Sequence, residues 1–333
     1  MARAAAAAQA TGAQPGTAGL TRRSRLRRRP GPGTRAAGVG RARRLVPLAW
    51  LGPALILIGV VVLWPIVAMV HTSTQNITPI GVTIGSAGTG NFRALFTNPN
   101  LPGILIRTVL WVVAVVGITM LVSLGLAQLY NQRFPGRRIT RWALIAPWAA
   151  SVMMTALIFR WMLQPDNGVI NIFLHQLGIV HSFNSNTSSW LGRPDSAMAW
   201  MIGVAVFVSL PFATYTLLAG LQAIGGDLYE AARIDGASRW GAYRRITLPL
   251  LRPAFVVAVI INLINVFNSF PIIWEMTRGG PGYATNTTTV FMYNLKQSYL
   301  GEAAALSIVN FVLILIIVLI YLRVSGWNRQ EDS

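Results

Sequence analysis

Residues 225–249 read Gly225-Gly226-Asp227-Leu228-Tyr229-Glu230-Ala231-Ala232-Arg233-Ile234-Asp235-Gly236-Ala237-Ser238-Arg239-Trp240-Gly241-Ala242-Tyr243-Arg244-Arg245-Ile246-Thr247-Leu248-Pro249. This charged stretch lies between two apolar runs, 197–220 and 254–274. Local chemistry predicts a short helix, a glycine stop and a second short helix. Asp227 offers an N-cap oxygen and Glu230 follows three residues later, the spacing of a capping box. Gly236 suits the left-handed position after a helix end. Ser238 can cap the next helix, and Pro249 and Pro253 are expected to break it before the following apolar run. Taken alone, Glu230 needs no role beyond capping.

Apolar runs of about 20 residues, the length that crosses a bilayer, recur on both sides of this loop. There are six: Val46–Val70, Ile104–Leu129, Trp142–Leu163, Ala197–Gly220, Ala254–Trp274 and Ala303–Leu322. Trp50, Trp64, Trp142, Trp161, Trp200, Trp274 and Tyr321 lie near their ends, as interfacial aromatics do. Only 11% of the 333 residues are charged and the mean hydropathy is +0.53, which fits an integral membrane protein. The expected fold is therefore all-α and polytopic, with six transmembrane helices.

Charge sets the expected orientation. The net charge is +19, from 28 basic and 9 acidic residues. Segments 1–45, 130–141, 221–253 and 323–333 hold 22 of the basic residues, whereas segments 71–103, 164–196 and 275–302 hold four. The positive-inside rule places the first set, and with it both termini, in the cytoplasm. Residues 1–45 carry eleven Arg, no acid and almost no large apolar side chain, so a disordered segment is expected there. Its arginine run suits membrane lipid headgroups. Nucleic acid is not an expected partner, because no aromatic or motif residue is interleaved with the arginines. Arg107 and Arg160 lie near the outer ends of their runs, where long side chains snorkel. Glu275 is on the same side, a candidate partner for one of them.

Absent residues exclude several chemistries. With no Cys, and three His at no metal-ligand spacing, neither thiol catalysis nor a metal site is expected. The one lysine, Lys296, lies in no P-loop, so ATP is not bound here through a Walker motif. No acid occupies the middle of an apolar run, which argues against a proton- or sodium-coupled carrier. No nucleophile–base or paired-carboxylate arrangement points to an enzyme.

The spacing Glu-Ala-Ala at 230–232, Gly236, Ile246 and Leu248-Pro249 resembles the signature loop of binding-protein-dependent ABC importer permeases. Asp235-Gly236-Ala237 is similar to its carbohydrate branch. Further stretches resemble the upstream, maltose- and glycerol-phosphate-type subunit. These are Asn91–Phe96, Leu210-Pro211-Phe212 with Leu217–Gln222, and Thr277-Arg278-Gly279-Gly280-Pro281-Gly282. The resemblance covers roughly residues 46–325, a permease domain with its coupling loop at 221–253. A short cytoplasmic tail, 326–333, follows.

What the resemblance implies is a transport subunit in the bacterial cytoplasmic membrane that catalyses no chemistry itself. Glu230, Ala231, Ala232, Asp235, Gly236 and Ala237 would form the tip that docks on a separate ATPase subunit, with Leu248 and Pro249 fixing the join to the fifth span. ATP and Mg²⁺ would be bound there and not by this chain. The other implied partners are a second related permease, a second ATPase copy and an extracytoplasmic sugar-binding protein. The turn at Thr277, Gly279, Gly280 and Pro281 would face that binding protein.

A sugar pathway needs hydroxyl-binding side chains and aromatic faces. On one continuous helix Asn262, Asn265 and Ser269 fall within about 60° of arc, with Asn268 further round. Ser209, Phe212 and Tyr215 flank Pro211 in the preceding span. These six are the candidate pathway residues; the rival reading is interhelical hydrogen bonding. Rival functions are import of a non-sugar solute such as glycerol phosphate or a phosphodiester, and an ion-coupled carrier or channel.

Overall fold

A computed structural model describes residues 50–179 and 189–325. The arginine-rich segment 1–45, the start of the first apolar run at 46–49 and the tail 326–333 lie outside the described residues. The chain divides into two units, residues 1–58 and 59–333. In the first, residues 50–58 are helical. All that follows concerns the second.

Helix α1 (Trp50–Ser73) enters this unit at Gly59 with a π-helical stretch, Gly59–Leu63. A two-stranded antiparallel hairpin follows, β1 (Gln75–Ile77) with β2 (Thr83–Ser86), paired Gln75 to Ser86 and Ile77 to Thr83 across a bulge. Then come α2 (Gly90–Thr97), α3 (Leu101–Asn131), α4 (Arg137–Ala149), α5 (Val152–Met162), α6 (Val169–Gln176) and α7 (Pro194–Gln222). The signature loop begins with α8 (Gly226–Ile234). It leads into α9 (Arg239–Phe267), α10 (Phe270–Thr277), α11 (Thr288–Lys296) and α12 (Leu300–Ser325).

Among the described residues five helices, α1, α3, α7, α9 and α12, are long and apolar enough to cross a membrane by length and composition. The third expected span, Trp142–Leu163, is two helices instead. Ala150 (ψ 148°) and Ser151 (ψ 137°) are extended and separate α4 from α5. Eleven residues of α5 reach only about 16 Å, half a hydrocarbon core. Hydropathy counts apolar residues and is blind to backbone direction, so it runs through this break. Pro147, one turn earlier, was the available signal.

The fifth expected span differs at both ends. Pro249 and Pro253 break nothing. The helix begins at Arg239, widens to a π-helix at Tyr243–Thr247 and continues through both prolines to Phe267. A π turn relaxes the clash that a proline ring makes with the carbonyl four residues back. At the other end the helix stops at Phe267, and Asn268-Ser269 link it to α10.

The core is where α3, α7 and α9 meet. α7 and α9 approach so closely that a Cβ on Gly220 would stand 2.5 Å from the Ala254 Cβ. Such small-residue contact is what packs helices in lipid, where burial of apolar surface drives nothing. Trp111, Met201, Val204, Val266 and Ile273 form one buried cluster. A second, nearer the signature loop, contains Met120, Ala213, Leu217, Leu251 and Ala258. Trp111 Nε1 donates to the Val266 carbonyl at 3.0 Å, which ties α3 to the last turn of α9. A third cluster, Leu95, Ile104, Phe291 and Leu306, holds α2 and α11 against α3 and α12. Asn91 fastens α2 to the end of α1 and to β1, donating to the Ser73 and Gln75 carbonyls at 2.8 and 2.9 Å.

Candidate functional site: a helix-break cleft and an exposed loop

The end of α9 opens a cleft of about 440 Å³ between α7, α9 and the start of α10. Ser209 and Phe212 line it from α7, Asn262 and Asn265 from α9, and Asn268 and Ser269 from the link. Trp148 and Val152 close it from the α4–α5 break. Helical arithmetic set Asn268 apart. Because the helix ends at Phe267, that arithmetic does not extend to 268, and Asn268 joins the same cleft.

Asn262 is only 3% exposed and its Nδ2 has no hydrogen-bond partner among the described residues. A buried, unpaired amide donor is costly unless something completes it. Asn268 is used differently: its Nδ2 donates to the Ile264 carbonyl at 2.9 Å and caps the broken helix. The cleft therefore combines amide and hydroxyl groups with two aromatic faces, and among the described residues no charged side chain lines it. Its size lies in the range of about 300–1,000 Å³ usual for small-molecule sites. Tyr215 stands apart. It lines a neighbouring apolar hollow with Ile145, Trp148 and Pro211, and its hydroxyl donates to the Arg141 carbonyl at 3.3 Å. Trp148, which sequence reading passed over as one more residue of an apolar run, borders both spaces.

The signature loop is fully formed and exposed. Gly236 has φ 75°; its N–H donates to the Arg233 carbonyl at 3.1 Å, and Ala237 N–H donates to Ala232 at 2.9 Å. These two bonds make a Schellman close of α8, so the expected role of Gly236 holds. Ser238 caps the next helix, its Oγ accepting from Gly241 N–H at 3.1 Å. The capping-box expectation at the other end fails. Gly225 is the N-cap, no side chain caps α8, and Asp227 lies inside the first turn, where its charge favours the helix dipole. Capping therefore leaves Glu230 unexplained. Glu230, Ala231, Asp235, Gly236 and Ala237 are exposed and Ala232 half-buried. Ile234, 87% exposed, and Trp240 add bare apolar surface to the same tip. The tip is tied to the membrane helices, since the Tyr229 hydroxyl and Thr247 Oγ1 are 3.0 Å apart. Leu248 and Pro249 directly follow the π turn that leads into the apolar part of α9.

The Thr277–Pro281 turn is stitched to the further turn, 282–285, that leads to α11. Thr277 Oγ1 lies 2.8 Å from Thr285 Oγ1, and Thr285 Oγ1 donates to the Gly280 carbonyl at 2.6 Å. Arg278, Gly279, Gly282 and Tyr283 all have positive φ, and the Gly280–Pro281 bond is cis. Gly279 is obligatory here, because a Cβ would collide with the buried Asn286 carboxamide. Arg278 and the tip, Pro281, Gly282 and Tyr283, are exposed. Arg160 reaches the same end of the molecule, where Nη1 donates to the Glu275 main-chain carbonyl at 3.2 Å.

Residues 117–327 match the family described as binding-protein-dependent transport system inner membrane component. The chain belongs to that family. It is a permease subunit of an ABC transporter, and its relatives are transport subunits and not enzymes. The sulfoquinovosyl glycerol transport system permease of Agrobacterium fabrum is 34% identical over 284 residues, 84% of this chain and 90% of that one. The trehalose/maltose transport system permease of Thermococcus litoralis is 38% identical over 216 residues, 65% of this chain and 71% of that one. Among solved structures, a chain of a bacterial ABC transporter involved in the import of the acidic polysaccharide alginate has the same fold. It is 23% identical, with a TM-score of 0.71 over 85% of this chain and 96% of that one.

Proposed function

We propose that this permease subunit passes a carbohydrate, a di- or oligosaccharide, into the cytoplasm through the cleft at the end of α9. The observation that carries the reading is the cleft's lining. Asn262, Asn265 and Ser209 offer hydrogen bonds, Phe212 and Trp148 offer apolar faces, and among the described residues no cation lines it to neutralise a phosphate. That chemistry suits a neutral polyhydroxyl solute better than glycerol phosphate or a phosphodiester. The sugar-linked names of the relatives point the same way.

Transport of this kind draws its energy from ATP hydrolysed on a separate subunit, which holds the nucleotide and Mg²⁺. The exposed tip Glu230–Ala237 is the docking element. The Tyr229–Thr247 contact and the π turn carry its rigid-body movement into α9, whose far end forms the cleft. The loop side and both termini face the cytoplasm, as the 22-to-4 division of basic residues supports. A second related permease completes the pathway, and a binding protein delivers the sugar at the Pro281–Tyr283 tip.

Uptake in a strain lacking the chain tests the proposal. Complementation should restore uptake of a labelled disaccharide or oligosaccharide that ATP depletion abolishes, and Asn262→Ala should weaken it. Restored uptake of glycerol phosphate alone, or solute flux through the purified chain without an ATPase subunit, would overturn it.

A further inference from the structure

The short helix α6 is amphipathic in the reverse sense to a helix packed on a protein in water. Its buried side carries the polar residue. Asn171 is 0% exposed, and its Nδ2 donates to the Gln164 and Pro165 carbonyls at 2.7 and 3.3 Å. Ile170 and Leu174, half-buried, lie on the same side. The open side carries large apolar residues: Val169 is 62% exposed, Ile172 41% and Phe173 59%. At 100° per residue these three fall within about 100° of arc, and Asn171 stands across the helix from their centre. Gln176, at the helix end, is the one polar residue on that arc. Leu177 and Ile179 follow it, also exposed.

The level of α6 is fixed by its neighbours. Trp190 Nε1 donates to Asn171 Oδ1 at 2.6 Å, and the Trp190 carbonyl accepts from Ser196 Oγ at 2.5 Å. Ser196 is in the first turn of α7, one residue before the apolar run that begins at Ala197. On the other side, Gln164 and Pro165 directly follow α5, and Trp161 in its last turn is 58% exposed. Asn171 thus pins α6 between the end of one apolar helix and the start of another, at the level where interfacial aromatics lie. A docking surface for another protein usually has a polar, charged rim. Here the sequence has no Asp, Glu, Lys or Arg between Asp166 and Arg193. A helix that satisfies its own backbone and shows an uncharged apolar face at this level suits lipid.

We propose that α6 is an interfacial helix lying on the outer leaflet of the bilayer, with Val169, Ile172 and Phe173 inserted at the boundary of headgroups and acyl chains. The leaflet rests on the topology proposed above; the lipid contact does not, and neither depends on which solute is carried. Such an anchor holds the outer ends of α5 and α7 at one height. Both helices supply walls of the cleft, Val152 from α5 and Ser209 and Phe212 from α7. The eleven residues of α5, about 16 Å, are too few to set that height by spanning the membrane.

The chain has no cysteine, so single cysteines can report on each side of α6. Phe173→Cys is labelled with a fluorophore in the complex assembled with cysteine-free partner subunits in phosphatidylcholine–phosphatidylglycerol vesicles. Lipids spin-labelled near the headgroup end of the acyl chain should quench its emission by about half, and aqueous iodide should quench it little. Ile170→Cys, on the protein side, should respond to neither. If Phe173→Cys does not assemble, Val169→Cys reads the same arc. Quenching of the Phe173→Cys label by iodide and not by lipid overturns the proposal, because the face then meets water. Protection from both quenchers also overturns it, because a partner subunit then covers the face. Labelling of Asn167→Cys by a membrane-impermeant thiol reagent in intact cells reads the leaflet separately. A cysteine reached only from inside would overturn the outer-leaflet assignment together with the topology, with the lipid quenching unchanged.

Discussion

The signature loop and the cleft lie at opposite ends of one helix, α9, and they are built in opposite ways. The loop is made of contacts between near neighbours. Gly236 closes α8 on Arg233 and Ala232, and Ser238 caps three residues on. The cleft is made of residues far apart in the chain. Trp148, Ser209, Asn262 and Ser269 meet only because α4, α7 and α9 pack and α9 stops at Phe267. A part that acts on another protein by rigid docking gains from local rigidity. A part that receives a solute needs walls from several helices, which can move apart.

That contrast predicts a ranking of damage. Gly236→Val and Glu230→Lys should have the largest effect, abolishing uptake while leaving the membrane helices folded. A β-branched residue at φ 75° is strained, and the reversed charge alters the docking tip. Co-purification with the ATPase subunit reads the loss, and unchanged association would remove the loop from its proposed role. Asn262→Ala should come next, raising the KM for uptake about tenfold through one lost hydrogen bond to solute, with ATPase association intact. If both fell together, the two ends of α9 would not be separable.

Smaller effects sharpen the comparison through stability. Trp111→Phe removes the indole donor to Val266 and should cost about 1–1.5 kcal/mol, the worth of one hydrogen bond, because the Val266 carbonyl still accepts from Ser269 N–H at 3.2 Å. Thermal unfolding in detergent would register it. Ser238→Ala should cost only about 1 kcal/mol, the usual worth of an N-cap. It should lower uptake modestly, with loop proteolysis as the measurement. An uptake loss as large as that of Gly236→Val would mean that the cap, and not the tip surface, is what docking requires.

The loop was legible because its determinants are local. Gly236, Ser238 and the residues around Glu230 were placed from sequence; the first cap was misread, and so was the stop at Pro249 and Pro253, through which α9 runs. Asp227 has a capping side chain, but the helix begins one residue earlier, at Gly226. In the membrane region the apolar runs were legible and their breaks were not. Ala150-Ser151 and Asn268-Ser269 interrupt runs that hydropathy treats as uniform. The small hairpin Gln75–Ser86, in what reads as plain loop, was equally invisible.

The sequence by itself determined that this is a helical membrane protein with a charged loop between two apolar runs, and which residues form that loop's tip. Those properties follow from composition and from interactions within about five residues of chain. Only the tertiary structure decided that Asn268 shares a cleft with Asn262, that Trp148 is its wall and that Tyr215 is not. Helix ends and helix crossings set those distances. They depend on the close approach of Gly220 to Ala254 and on the Trp111 bond to Val266, contacts that link residues 34 and 155 positions apart.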